Sequence, residues 1–176
     1  MRKTQDVLGK WFYGNLPSLP YGEETSYRKA IEFLDGPYII EDWGCGVAYA
    51  KRFVKEGQYI GIDGSKSLHR DKVADLRTYR SNASAILIRH ILEHNFEWQK
   101  ILENALASFQ KKLVLILFTP FAETTKQIGC TLRGVPDLSF RKEDLMEYLA
   151  PFKPVEESLQ TDTQYGQEHM FYLTRD

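Results

Sequence analysis

The chain has 176 residues, 43% hydrophobic and 27% charged, with 23 basic and 24 acidic side chains and a formal net charge of −1. That length fits one domain, 1–176, burying about two-thirds of its unfolded surface, and the even charge gives no global drive toward nucleic acid or an anionic membrane. Two distant cysteines, Cys45 and Cys130, point to neither a disulfide framework nor a zinc-ligand cluster, so a reduced, cytoplasmic protein is expected.

The first residues lack the apolar core of a secretory signal, and no apolar run approaches the roughly 20 residues of a bilayer span. Segment 1–22 reads as irregular or partly helical, with Trp11, Phe12 and Tyr13 grouped before a turn holding Pro17 and Pro20. Residues 24–34 place Tyr27, Ala30, Ile31 and Leu34 at helical spacing, and Asp35-Gly36-Pro37 ends that helix. A buried strand at 38–41 then runs into the turn Asp42-Trp43-Gly44-Cys45-Gly46 and a helix over 47–56. Glycines in such a turn let the backbone approach a ligand, and the amides of the following helix are expected to face the same gap. Lys51, Arg52 and Lys55 read as the solvated face of that helix, and Cys45 as a small buried residue.

A second strand over 58–62 ends at Asp63-Gly64-Ser65, and a third over 72–74 at Asp75-Leu76. Only about a dozen residues separate Asp63 from Asp75, so a helix between these strands must be very short or absent. Strand 85–88 leads into Arg89-His90, a helix over 96–109 turns Ile101, Leu102, Ala105, Leu106 and Phe109 inward, and strand 113–118 stops at Thr119-Pro120. The long loop 119–138 follows, then a helix over 141–149 capped by Ser139 or Asp137. Strands 155–159 and 169–174, joined by a turn at Gly166, close the chain. Alternating strands and helices with buried strands predict an α/β three-layer sandwich around a mostly parallel, Rossmann-like sheet.

In such a sheet the carboxyl ends of the strands line one crevice. Asp63 is placed to accept both ribose hydroxyls, Asp75 to accept from an exocyclic amine, and Leu76 to lie against a base. The first turn lacks the last glycine of a dinucleotide fingerprint, and Asp42 repels a diphosphate but suits a cation. S-adenosylmethionine joins adenosine to a sulfonium and an ammonium group and satisfies all of these positions.

The ordered segments DWGCG, YIGIDGS, ADL and AILIRHILEH resemble the class I S-adenosylmethionine-dependent methyltransferases, in the group of small enzymes with H-x-L-E-H after the fourth strand. The resemblance covers about 38–118. It implies a seven-stranded sheet whose last strand is antiparallel, with S-adenosylmethionine as cofactor. It implies cofactor contacts at Asp42, Trp43, Gly44, Cys45 and Gly46 in the first turn, and at Asp63, Gly64 and Ser65 in the second. Asp75, Leu76 and the backbone of Arg89 and His90 complete the implied set. Ala48 stands where the family often has glycine, and Trp43 is bulky for its slot.

His90 and His94, four residues apart with Glu93 between them, are the candidate bases for a hydroxyl acceptor. Neither a zinc site nor any other metal is expected from them. No Pro-Cys pair and no Asn-Pro-Pro-Tyr segment follows the fourth strand, so thiolate-assisted base methylation and exocyclic-nitrogen methylation are not indicated. The organisation expected is a cap at 1–36, a cofactor half at 37–118 and an acceptor half at 119–176. Acceptor contacts are sought in 11–21 and 119–138, with Phe121, Arg133 and Asp137. The expected activity is methyl transfer to oxygen of a small-molecule or glycan acceptor. A nicotinamide-binding oxidoreductase, a non-catalytic cofactor-binding module and an RNA acceptor stand as alternatives. The oligomeric state is not legible.

Overall fold

A computed structural model describes residues 12–131 and 133–175. The elements run β1 (Phe12–Gly14), α1 (Thr25–Leu34), β2 (Ile40–Trp43), a 3-10 turn (Tyr49–Phe53), β3 (Tyr59–Asp63), β4 (Lys66–Ser67), β5 (Lys72–Val73) and β6 (Ala85–Arg89). They continue with a 3-10 turn (Leu92–His94), α2 (Trp98–Ser108), β7 (Lys112–Leu117), β8 (Lys126–Cys130), β9 (Pro136–Ser139), α3 (Lys142–Leu149), β10 (Val155–Gln160) and β11 (Gln167–Thr174). Seven strands form one sheet in the order β10-β11-β7-β6-β2-β3-β5. β11 is antiparallel to both neighbours, and the pairs from β7 to β5 are parallel.

The central strands are apolar throughout because both faces are covered. Successive residues alternate sides, so Ala85 and Leu87 pack under α1 with Ile40, Val114, Ile116 and Met170. Ile86 and Ile88 face the opposite layer, with Trp43, Leu113, Leu115, Leu117, the α2 residues Ile101, Leu102 and Ala105, and Leu145 and Leu149 of α3. The three-layer sandwich and the lone antiparallel strand are as expected. No helix separates β3 from β5; the short β4 takes its place and pairs with β1. Among the described residues, no helix is long and apolar enough to cross a membrane.

Three expectations are corrected. The helix over 47–56 is a five-residue 3-10 turn. Gly46 and Ala48 both have left-handed backbone, and Gly57 does too, which leaves the intervening residues too short a run to propagate an α-helix. The loop 119–138 contains the antiparallel pair β8–β9. Neither Ser139 nor Asp137 caps α3, whose start carries no side-chain cap of its own. Instead the Thr125 hydroxyl accepts from the Arg141 amide at 2.9 Å and donates to Asp144 at 2.6 Å. Residues 1–11, including Trp11, lie outside the described residues.

Candidate active site

A cavity of about 380 Å³ opens at the carboxyl ends of β2, β3, β5 and β6. Asp42, Gly44, Cys45, Gly46, Asp63, Gly64, Ser65, Asp75, Leu76, Arg89, His90 and His94 all line it. Trp43 does not: the two-residue period of β2 sends Asp42 into the cavity and Trp43 into the opposite core. There it is fully buried, and its indole donates to Glu41 at 2.9 Å. The expected cofactor contact from the Trp43 side chain is therefore corrected.

The first turn is held from the next strand. Gly44 and Gly46 have φ of +80° and +54°, a region that strains residues carrying a Cβ. Ile91 stands where a Cβ on Gly44 would project, and the Tyr13 ring covers Gly46. The Gly46 amide donates to Asp63 at 2.8 Å, and the Ser65 amide donates to the other Asp63 oxygen at 2.7 Å. The expectation that the start of a helix over 47–56 offers its amides to a ligand is corrected, because no α-helix starts there; Asp63 takes the Gly46 amide ahead of it and fixes both turns. Each of its oxygens keeps a lone pair for a further donor.

Asp42 is fully enclosed and accepts from the Tyr59 hydroxyl at 2.6 Å. Burial pushes its carboxyl up to about 7, against the pull of Tyr59. The Asp63 charge adds to the rise and the Arg89 charge opposes it. Burial also raises Asp63. A cavity edge with two raised acids favours a cation, which would return each carboxyl to its ionised form. Asp75 differs. Arg77 holds it through contacts of 2.8–3.2 Å and keeps its carboxyl below the usual range. Leu76 is anchored beside it by Asn104, which donates to the Leu76 carbonyl at 3.0 Å.

The other end of the cavity is an aromatic and charged cluster. His90 takes a left-handed backbone, φ +56°, as the chain leaves β6. Its Nε2 lies 2.6 Å from Glu168 Oε1, and its ring packs 4.7 Å from Phe118. Arg89 is buried, stacks on Tyr27 at 3.9 Å and donates to Glu168 at 2.7 Å, Tyr27 Oη at 2.8 Å and the Tyr21 carbonyl at 2.8 Å. His94 Nδ1 donates to the Pro136 carbonyl at 2.9 Å and lies 3.4 Å from Asp137 Oδ1. At 3.4 Å the second contact is charge pairing more than a hydrogen bond. Asp137 accepts from the Tyr165 hydroxyl at 3.1 Å. The Glu93 carboxylate turns inward to cap the Phe118 amide at 2.7 Å.

Of the sought acceptor residues, Asp137 reaches the cavity. Phe121 is stacked on His169 at 4.3 Å, and Arg133 is exposed; neither lines the cavity. Tyr21, in the sought 11–21 segment, also lines the cavity, whereas Tyr27 and Glu168 were not singled out for the site by sequence. Glu168 sits in β11, more than seventy positions from Arg89 and His90. It directly precedes the closing strand expected at 169–174, and the observed strand begins one residue before it. Among the described residues, no group of three or more His, Cys, Asp or Glu is arranged to hold a metal ion.

No family model matches the sequence, and no curated protein is similar to it. Solved structures do match. The 1,6-didemethyltoxoflavin-N1-methyltransferase of Burkholderia thailandensis, bound to 1,6-didemethyltoxoflavin and S-adenosylhomocysteine, superposes with a TM-score of 0.64. It is 12% identical over 86% of this chain and 76% of that one. Magnesium protoporphyrin IX methyltransferase of Synechocystis PCC 6803, with S-adenosylhomocysteine, gives 0.63 at 15% identity over 87% and 83%. The N-methyltransferase NodS of Bradyrhizobium japonicum gives 0.58 at 11% identity over 87% of each chain. The fold is that of the class I methyltransferases. This methyltransferase fold explains why β11 runs against its neighbours and why the polar strand ends gather at one edge. It does not by itself assign a reaction.

Proposed function

We propose that the chain is an S-adenosylmethionine-dependent methyltransferase acting on oxygen of a small-molecule or sugar-type acceptor. The observation that carries this reading is the meeting of the glycine turn, Asp42, Asp63 and the Asp75-Leu76 edge around one cavity. The cradle suits the cofactor: the turn at Gly44 and Gly46 lines the cavity, and Asp42 lines it beside them with a carboxyl awaiting a cation. Asp42 would hold the ammonium end, Asp63 the ribose hydroxyls, and Leu76 the adenine face. When bound, the sulfonium supplies an electrophilic methyl group. The chain's own contribution is alignment and exclusion of water, with Tyr13, Leu19 and Tyr21 of the 1–36 segment covering the cavity.

In this reading 37–118 binds cofactor and 119–176 faces the acceptor, through Asp137. A nicotinamide dinucleotide is disfavoured because no α-helix start follows the glycine turn to receive a pyrophosphate. An RNA acceptor is disfavoured because the cations lining the cavity already face acids: Arg77 with Asp75, Arg89 with Glu168, His94 with Asp137.

Calorimetry of the full chain is expected to show binding of both S-adenosylmethionine and S-adenosylhomocysteine. Heat from neither ligand, in folded protein, would remove the proposal. Asp63→Ala is expected to weaken binding by about 1–3 kcal/mol, through the lost charged hydrogen bond and the loosened Gly46 and Ser65 amides. Unchanged affinity in that variant would take Asp63 out of the site.

A further inference from the structure

We infer that Tyr59 is a positioning residue for the cofactor: its hydroxyl clamps Oδ2 of Asp42, leaves Oδ1 to the ligand's ammonium group, and makes binding expel one proton from Asp42. This deepens the methyl-transfer reading above and rests on it. The clamp begins in strand register. β2 and β3 run parallel with Asp42 beside Gly61, and Tyr59 stands two residues before Gly61 on the same face. A Cβ on Gly61 would lie 3.2 Å from Tyr59 Cε1 and 2.9 Å from Cys45 Sγ. With glycine there, the Tyr59 ring leans across the strand and its hydroxyl reaches Asp42 Oδ2 at 2.6 Å. Burial raises the phenol further above its ordinary value, so Tyr59 keeps its hydrogen and donates it.

Among the described residues, Tyr59 is the one hydrogen-bond donor to this carboxyl. Arg89 of β6 turns its guanidinium to Glu168, Ser26, Tyr27 and the Tyr21 carbonyl instead. Asp42 still keeps 5% exposure and lines the cavity, and its Oδ1 is not one of the sealed unpartnered atoms of the interior. The groups facing it are Tyr59 and Asp63 of β3, Cys45 of the turn, Arg89 of β6 and Tyr27 of α1. Burial holds Cys45, Tyr27 and Tyr59 neutral. Asp63 takes the Gly46 and Ser65 amides, and its charge opposes one on Asp42. Asp42 is therefore an acid with one neutral donor, one open oxygen and no paired cation.

An ammonium group at Oδ1 supplies the missing counter-charge and returns Asp42 to its ionised form. Burial places the free carboxyl at about 7. Below that pH the ligand competes with a proton, so its affinity should fall about tenfold for each unit of acidification. Above it, affinity should level off. The free chain holds the proton and the complex releases it to solvent. Tyr59 sets where this happens, because its hydrogen bond favours the ionised carboxyl. Without the hydroxyl, Oδ2 is left bare, the proton is held more tightly and the steep region moves to higher pH. The adenosine and thioether parts of the ligand carry no cation, so the linkage belongs to its amino-acid end.

The test uses the full chain with ¹³C-labelled aspartate carboxyls, after calorimetry has established whether S-adenosylhomocysteine binds. Failure to bind defeats the methyl-transfer reading itself. Glu93, which burial also raises to about 7, and His94, raised above its ordinary 6.5, would add to a bare proton count, so Asp42 is read directly. Its resonance, assigned by its loss in Asp42→Asn, should titrate near pH 7 in the free chain. Saturation with S-adenosylhomocysteine should keep it ionised down to about pH 5.5. 5′-Methylthioadenosine, which lacks the ammonium, should leave the midpoint in place. A free-chain midpoint at the ordinary 3.8, or one that S-adenosylhomocysteine does not move, overturns the inference. An equal shift with 5′-methylthioadenosine overturns the ammonium contact. In Tyr59→Phe the free midpoint should rise by about one to two units, and binding near pH 7 should weaken about tenfold. A loss equal at every pH with the midpoint unmoved marks a merely structural Tyr59 and overturns its role. Should that variant not fold, 3-fluorotyrosine incorporated in place of tyrosine donates more strongly and should lower the midpoint; an unmoved midpoint is then the overturning result.

Discussion

Replacing Arg89 with methionine is expected to destabilise the fold by about 3–5 kcal/mol, because it leaves the Glu168 carboxylate buried without its counter-charge. Both side chains are almost wholly enclosed, at 7% and 0% exposure, and their oxygen and nitrogen lie 2.7 Å apart. The guanidinium also ties α1 to the sheet through Tyr27 and Ser26, and holds the 12–24 segment through the Tyr21 carbonyl. These partners lose their donors together. The pair need not favour stability over an apolar core: two charges taken out of water cost about as much as their attraction returns. The double variant Arg89→Met/Glu168→Leu is therefore expected to be more stable than Arg89→Met alone. Urea unfolding followed by tryptophan fluorescence measures both. A single-variant loss below about 1 kcal/mol, the scale of a surface pair, would show that water reaches this contact.

Asp42→Asn is expected to stabilise the ligand-free chain at neutral pH, and increasingly so as pH rises. In the folded chain burial moves this carboxyl from its ordinary 3.8 to about 7. Between those values the folded state holds a proton that the unfolded chain has released, so parental stability falls with rising pH at about 1.4 kcal/mol per unit. Asparagine does not titrate and can still accept from Tyr59. The difference between variant and parent should therefore be small near pH 4, grow through the window, and level off above about 7 at a few kcal/mol. Denaturant unfolding at a series of pH values reads this directly, and a difference independent of pH would contradict it. Under the proposed function the same variant binds S-adenosylmethionine more weakly, so stability gained would be function lost.

These two residues differ in how openly the sequence displays them. Asp42 was legible because it ends an apolar strand and precedes two glycines, a local pattern with few structural solutions. Asp63, which ends an apolar strand before a glycine, was legible in the same way, and the strands at 85–88 and 113–118 were legible as short continuous apolar runs. The helix after the glycine turn was not, since left-handed backbone at Ala48, which ends the run before it can become an α-helix, is not a property of alanine. Trp43 was misjudged because its neighbours in sequence face the cavity while the strand's period turns it away.

Local pattern alone determined the order of the seven sheet strands and of α1, α2 and α3, the crevice at the strand ends and the acids facing it, because strand pleat and glycine backbone freedom act over a few residues. Only the tertiary structure decided how Arg89 and His90 are held, since that depends on Glu168 arriving from β11 beside them. A carboxylate brought across the sheet fixes both side chains through contacts that no stretch of neighbouring residues encodes.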